Sequence, residues 1–155
     1  MSSSIYYYEN LIVECNERIR KYREQIEGLE TFEKENSNGK GIFTAVTAKR
    51  RNHIDTALSD ALQHPMVNKL HRKIHNAIDK EYENGVMERF SGVSSEINRV
   101  INQLLDRIKE DEKNISSYRT RIAEIREAER REAERREAER REAERRAAED
   151  AKCKV

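Results

Sequence analysis

The spacing of hydrophobic residues near the start of the chain predicts an amphipathic helix. From Ile5 to Leu29 these residues are separated by alternating steps of three and four, and the positions between them are mostly charged or amide side chains. This is the heptad pattern of a helix that packs against another helix along one face. We call this set the first apolar stripe: Ile5, Tyr8, Ile12, Cys15, Ile19, Tyr22, Ile26 and Leu29.

A second apolar stripe with the same spacing lies towards the other end of the chain. Its members are Ile97, Ile101, Leu104, Ile108, Ile115, Tyr118, Ile122 and Ile125. Asp111 occupies the stripe position between Ile108 and Ile115. Because a polar residue at such a position costs stability but penalises slipped pairings, we expect Asp111 to favour one register.

The segment after the first stripe contains a predicted turn. Asn36-Ser37-Asn38-Gly39-Lys40-Gly41 combines two asparagines with two glycines, which tolerate positive φ, so we expect the chain to turn or loop over residues 36–41. Thr44 to Gln63 then has the pattern of a second helical segment.

Pro65 should interrupt that helix at His64, because proline disfavours the helical conformation in the residue before it. A further helical stretch is predicted from Val67 to Tyr82. Gly85 and Gly92 follow this stretch, and the sequence leaves open whether they end the helix or only weaken it.

Two apolar stripes of similar length, joined by a segment long enough to cross between them, are expected to pack against each other antiparallel. The predicted fold class is therefore all-α: an antiparallel helical hairpin or coiled coil with a kinked middle segment and a solvated, charged helical tail. We expect a hairpin domain over residues 1–125 and a tail over residues 126–155.

The tail is a repeat. Residues 127–146 are four copies of Glu-Ala-Glu-Arg-Arg. Each copy advances about 140° around a helix, so the alanines spiral and form no apolar face. Glutamate and arginine three and four residues apart favour a salt-bridged helix in water. The tail is either a spacer or docking rod, or a repeat expansion tolerated because it is soluble; we favour the second interpretation.

Charge and hydropathy narrow the choice of partner. Lys and Arg total 31 against 30 Asp and Glu, so long-range attraction to nucleic acid or anionic lipid is weak. No apolar run approaches the length of a bilayer span, and residues 1–4 do not resemble the start of a signal peptide. We expect a cytoplasmic protein without membrane insertion, export by a non-classical route being the alternative. Cys15 and Cys153 do not suggest a disulfide framework.

Three histidines are candidate metal ligands. His71 and His75 are four residues apart, a spacing that allows two imidazoles to meet one ion, and His64 lies on a similar face. No glutamate adjoins them as in a metalloprotease motif, and Arg72 and Lys73 stand between them. We favour an ordinary polar face and predict no metal.

Other chemistry is not indicated. The basic clusters at residues 49–51 and 71–73 are accompanied by acidic residues and lack the interleaved aromatics of a nucleic-acid surface. No glycine-rich phosphate loop or nucleophile motif is present, and Cys15 is explained as a small stripe residue. We therefore predict a non-enzymatic protein with no catalytic residue and no cofactor.

The arrangement as a whole resembles a known group of proteins. Tyr6-Tyr7-Tyr8 opening a heptad helix, the segment 36–41 and the returning stripe of residues 97–125 resemble the small helical partner proteins of bacterial type VII secretion effectors, of the YwqH-like and WXG100-like kind. The likeness covers the first 125 or so residues. It implies a chaperone or targeting partner that pairs its helices with a helical domain of an effector.

We expect helix-on-helix burial to be the mechanism of any such interaction. The candidate internal and partner-facing residues are Tyr8, Ile12, Ile19, Tyr22, Ile26, Ile101, Leu104, Ile108 and Ile115. The alternative is a self-associating coiled-coil scaffold or spacer in which the same stripes serve homo-oligomerisation. Either hypothesis predicts a dimer or a hetero-complex.

Overall fold

A computed structural model describes residues 3–152, and the side chains of these residues except 81–83 and 150–152. Three α-helices account for most of the described chain: α1 (Ser3–Leu58), α2 (Pro65–Ala77) and α3 (Gly85–Lys152). A short 3₁₀ helix (Ser59–Ala61) and a π-helical segment (Ile78–Asn84) connect them. The described residues contain no strand, so the predicted all-α class is confirmed.

The chain divides into two units. The terminal unit consists of Met1–Arg20 with Arg107–Val155, and the central unit is Lys21–Asp106. The central unit is a helical hairpin in which α2, the π-helical segment and the start of α3 return antiparallel to α1. In the terminal unit, the first residues of α1 pair antiparallel with α3: the ring centroids of Tyr8 and Tyr118 are 5.8 Å apart, and Arg18 contacts Asp111.

The predicted turn over residues 36–41 is wrong, because α1 continues through this segment without interruption. No described residue has a positive φ, so these glycines adopt ordinary helical geometry. The Asn36 side chain donates hydrogen bonds to the Phe90 carbonyl oxygen and to Ser94 Oγ, at 3.1 and 3.0 Å. Tertiary contacts of this kind offset the helix-propensity cost of glycine, which is about 1 kcal/mol per residue.

Gly39 has a packing role in the same segment. A Cβ atom at this position would lie 3.3 Å from Cε1 of the Phe90 ring, which is closer than side chains normally approach. Glycine therefore allows the aromatic ring to rest against the α1 backbone. The signal that suggested a turn is here a signal for close approach of two helices.

The predicted interruption at Pro65 is confirmed. His64 has an extended backbone (ψ 123°) and precedes Pro65, which occupies the first turn of α2. This is the position where proline's fixed φ and missing N–H are best tolerated. The turn is closed by a hydrogen bond from the His64 N–H to the Ala61 carbonyl, at 2.9 Å.

Gly85 and Gly92, for which the sequence did not decide between a helix end and a weakened helix, both lie in α3. Gly85 is the first residue of α3 and Gly92 lies inside it, so neither interrupts the helix. The same helix extends through the repeat. Every repeat residue from Ala128 to Arg146 is exposed, and glutamate–arginine pairs such as Glu127–Arg131 (3.0 Å) run along it. The predicted salt-bridged helical tail is confirmed.

Candidate functional site

The structure divides the predicted partner-binding residues into two groups by burial. Ile19, Leu104, Ile108 and Ile115 are buried within the protein itself. The others are partly exposed: Tyr8, Ile12, Tyr22, Ile26 and Ile101. The first group therefore serves internal packing, Leu104 in the central unit and the other three in the terminal unit. Surface remains available mainly on the second group. Whether any of them meets a partner stays a prediction.

Asp111 is buried at the stripe position where the sequence placed a polar residue. Arg18 reaches it with two hydrogen bonds, from Nε to Oδ2 at 3.1 Å and from Nη2 to Oδ1 at 2.7 Å. The hydrogen bond from Arg18, reinforced by its charge, holds the pKa of Asp111 below its usual value despite burial. A bidentate ion pair forms only when the guanidinium and the carboxylate face each other in one orientation. This pair therefore favours one register between α1 and α3 of the terminal unit.

Cys15 adjoins this ion pair. Its Sγ lies 3.1 Å from Nη2 of Arg18, and the thiol is buried. Burial raises the pKa of Cys15, and hydrogen bonding to the Asp111 carboxylate acts in the same direction, although the Arg18 charge opposes them. A buried thiol with a raised pKa is a poor nucleophile, which fits a packing role.

Exposed apolar side chains mark the outer surface of the terminal unit. Tyr6 is 62% exposed and Val13 is 63% exposed. Because seven residues nearly complete two helical turns, these two side chains project from the same side of α1. The sequence stripe did not include Tyr6 or Val13, since neither follows its spacing.

A groove of about 610 Å³ lies between α1 and α3 in the terminal unit. Its apolar lining is Ile12, Ile122 and Ala123, and its charged lining is Glu9, Arg119, Arg126, Glu127 and Arg130. On α1, Ile12 and Glu9 lie on the flank that leads from the buried stripe towards Tyr6 and Val13, as a rotation of 100° per residue requires. Groove and exposed side chains thus lie on the same flank of α1.

The central unit also exposes apolar side chains on α1. Phe32, Ile42 and Val46 are all exposed, and they project within an arc of about 80° on an ideal helix. A stripe of this width is typical of a helix that still has a face to cover. The turn predicted at residues 36–41 would separate Phe32 from Ile42 and Val46. The sequence therefore did not place these three residues on one helix face.

A third cluster, in the central unit, combines one carboxylate with two imidazoles. Oδ1 of Asp55 in α1 lies 2.7 Å from Nε2 of His71 and 2.8 Å from Nε2 of His75, both in α2. The two rings are 4.3 Å apart between centroids. The hydrogen bond from His71, together with that from His75 and the charges of both rings, lowers the pKa of Asp55.

Sequence reasoning paired His71 with His75 but missed Asp55. The carboxylate is 16 residues from His71 and belongs to a different helix, so no local spacing connects them. His64, the third candidate histidine, immediately precedes α2 and does not belong to the cluster.

Comparison of this chain with protein-family models, with curated proteins and with solved structures gives no significant match. Among the residues that the structure describes, no helix is both long enough and apolar enough to cross a lipid bilayer. Fold and surface chemistry therefore define the class: an all-α protein with a helical hairpin and exposed apolar flanks.

Proposed function

We propose that this protein is a non-enzymatic interaction protein that takes up an amphipathic helix of a partner on the terminal unit. The observation that carries the proposal is the apolar groove between α1 and α3, with Tyr6 and Val13 exposed beside it. An amphipathic helix laid into such a groove places side chains at i, i+3, i+4 and i+7 on its floor.

The chemistry of the groove describes the partner. Ile12, Ile122 and Ala123 would receive aliphatic or aromatic side chains. The charged lining has three arginines and two glutamates, with Arg126 3.3 Å from Glu9 and Arg130 2.7 Å from Glu127. The excess of arginine favours a partner helix whose edges carry acidic residues, and these charges would serve orientation more than affinity.

The more specific form of this proposal follows from the resemblance. A partner protein of a bacterial type VII secretion effector would bind a helical domain of that effector and shield or deliver it. The long antiparallel helices and the uncovered apolar flank are what such a helix-pairing role requires. We further propose that the complex forms in the cytoplasm, before any export.

The test is co-expression of the full chain with the helical domain of an effector encoded beside it, followed by size-exclusion chromatography with light scattering. We expect a stoichiometric complex. Val13→Glu should abolish the complex, because it places a charge on the proposed apolar surface. The helicity by circular dichroism should not change, because Val13 is exposed in the free protein. The matched control is Val93→Glu, an exposed valine in the central unit. A complex that survives Val13→Glu, or that Val93→Glu disrupts equally, contradicts the proposed site.

A self-associating scaffold is the second candidate, supported by a different observation. Phe32, Ile42 and Val46 form an exposed stripe on α1 of the central unit, which a second copy of the same chain could cover. In this case the chain alone would sediment as a dimer over a range of concentrations, and Ile42→Glu would convert it to a monomer. A monomer at high concentration would exclude the scaffold and leave the hetero-partner proposal standing.

A further inference from the structure

Asp55, His71 and His75 bring three potential ligand atoms within 4.8 Å of one another. They join two helices of the central unit on either side of the Pro65 turn: the carboxylate belongs to α1 and both imidazoles belong to α2. From this convergence we propose that the three residues form a binding site for a divalent transition-metal ion, with Zn(II) as the ion of choice. This site is independent of the proposed partner-binding function and lies in the other unit.

The ligand types suit zinc. Zn(II) binds imidazole nitrogen and carboxylate oxygen at about 2.0–2.2 Å, and three protein ligands with a water are a common coordination set. Two histidines four residues apart on one helix can direct both imidazoles to the same ion. Hard cations such as Ca²⁺ and Mg²⁺ prefer sites made wholly of oxygen, so a pair of imidazoles selects against them.

The geometry requires little adjustment. Both Nε2 atoms already point at the same carboxylate oxygen, at 2.7 and 2.8 Å. Ligand atoms around a tetrahedral zinc ion are about 3.3 Å apart, as bond lengths near 2.05 Å dictate. The contacts therefore need to open by about half an ångström, which side-chain rotation provides on residues at the protein surface.

Exposure leaves room for the remaining ligands. The side chains of His71 and His75 are 21% and 24% exposed, and that of Asp55 is 48% exposed. The imidazoles are thus held in place by their surroundings, while the carboxylate side faces solvent. A water molecule can complete the coordination sphere from that side.

Neighbouring charges do not block a cation. Arg51, one turn before Asp55 on α1, forms an ion pair with Asp79, which lies one turn beyond His75. Its charge is met by a carboxylate. Arg72 and Lys73, which stand between the two histidines in the sequence, are exposed and project about 100° and 200° around α2 from His71.

Bound metal would clamp α2 to the end of α1 across the turn. Asp55 and His71 are separated by 16 residues, so the ion would close a loop containing the 3₁₀ helix and Pro65. A ligand that binds only the folded state stabilises it by mass action. At a Zn(II) concentration 100-fold above its dissociation constant, we expect the unfolding midpoint of the central unit to rise by about 10–20 °C.

The decisive experiment is isothermal titration of the full chain with Zn(II) after removal of metal by a chelator. We expect saturation at one ion per chain. Asp55→Asn, His71→Ala and His75→Ala should each weaken binding by about 10-fold or more. The matched controls are His53→Ala and His64→Ala, which remove histidines outside the cluster and should leave the affinity unchanged.

A second measurement identifies the ligands. Co(II) in place of Zn(II) should give visible absorption of a low-coordinate site, and His75→Ala should remove it. Asp55→Asn keeps the shape of the side chain, and its helicity by circular dichroism separates lost binding from lost folding. The proposal would be overturned if the wild-type chain took up no saturating amount of metal. It would also be overturned if the Asp55→Asn and wild-type chains bound Zn(II) with equal affinity, a result that would assign the metal to glutamates elsewhere, such as those of the tail.

Discussion

The contacts inside the terminal unit differ in kind from the contacts inside the central unit. Among the described residues, the buried side chains of the terminal unit are mostly branched aliphatics at stripe positions: Ile5, Ile19, Ile108, Ile115 and Ile122, with Cys15 and Asp111. The contacts between helices in the central unit include many polar ones, among them Asn36 with Ser94, Glu33 with Ser94, Arg51 with Asp79, and Asp55 with two histidines.

The stripes also continue into the central unit, where Ile97 and Leu104 are buried, so the sequence revealed the apolar packing of both units but not the polar contacts of the central one. Apolar burial repeats with the helix period, so it leaves a regular trace along the chain. A polar contact between distant residues leaves no periodic trace, because a single hydrogen bond needs only one residue on each helix. Substitutions in the stripe, at Asp111, at the glycines of α1 and in the tail probe the contrast, in order of decreasing effect.

Ile19→Asp should cause the largest loss of stability. Ile19 is buried in the terminal unit, and the substitution places a charge among apolar side chains with no partner designed for it. We expect the free energy of unfolding to fall by about 4 kcal/mol in urea denaturation. Val13→Asp, on the same helix but 63% exposed, should change it by less than about 0.5 kcal/mol. Comparable losses in both variants would show that the stripe is not the core.

Substitution of Asp111, the buried polar residue at a stripe position of the terminal unit, tests the contribution of its ion pair with Arg18. Asp111→Ala should lower stability at pH 7 by about 1–2 kcal/mol, since it removes two charge-assisted hydrogen bonds from Arg18. Asp111→Leu should lose less stability than Asp111→Ala, because leucine fills the buried stripe position and Arg18, whose side chain is 45% exposed, can turn its guanidinium to water. Denaturant unfolding of both variants measures this, and a leucine variant less stable than the alanine variant would contradict it.

The Asp111 contribution also depends on pH. Its pKa is lower in the folded state than in the unfolded chain, so its stabilising effect is fully present above about pH 4–5 and is lost as the pH falls through the folded pKa. The stability difference between wild type and Asp111→Ala should therefore shrink on acidification towards pH 2. A difference that stays constant from pH 7 to pH 2 would show that the ion pair contributes nothing.

The glycines of α1 separate helix propensity from packing. Gly28→Ala and Gly41→Ala should each stabilise the protein by about 0.5–1 kcal/mol, because a new Cβ meets nothing within 4 Å. Gly39→Ala should gain less or lose stability, because its Cβ would crowd the Phe90 ring. Thermal unfolding measures the stability of the three variants. An equal gain in stability at all three positions would contradict a packing role for Gly39.

The tail should show the smallest effect. Glu137→Gln removes the ion pair with Arg141, worth about 0.3 kcal/mol in an exposed helix. We expect a slight loss of helical ellipticity at low salt that disappears at 1 M salt, where such pairs are screened. A loss of the same size at high salt would mean that the pair does not act through charge.

The sequence alone determined the elements whose signal is periodic or covalent. The two apolar stripes, the polar stripe position at Asp111, the break at Pro65 and the salt-bridged tail are all present where residue spacing and proline geometry place them. In these cases the cause lies within a few residues along the chain: heptad spacing puts the apolar side chains on one face, and the ring of Pro65 restrains His64 directly.

Tertiary structure decided what depends on residues far apart in the chain. Asn36 and Gly39 favour a turn by local preference, but hydrogen bonds to Phe90 and Ser94 and the close approach of the Phe90 ring keep this segment helical. Asp55 joins the two histidines only because α2 folds back beside α1. Local propensities amount to about 1 kcal/mol per residue, and a few long-range contacts are enough to reverse them.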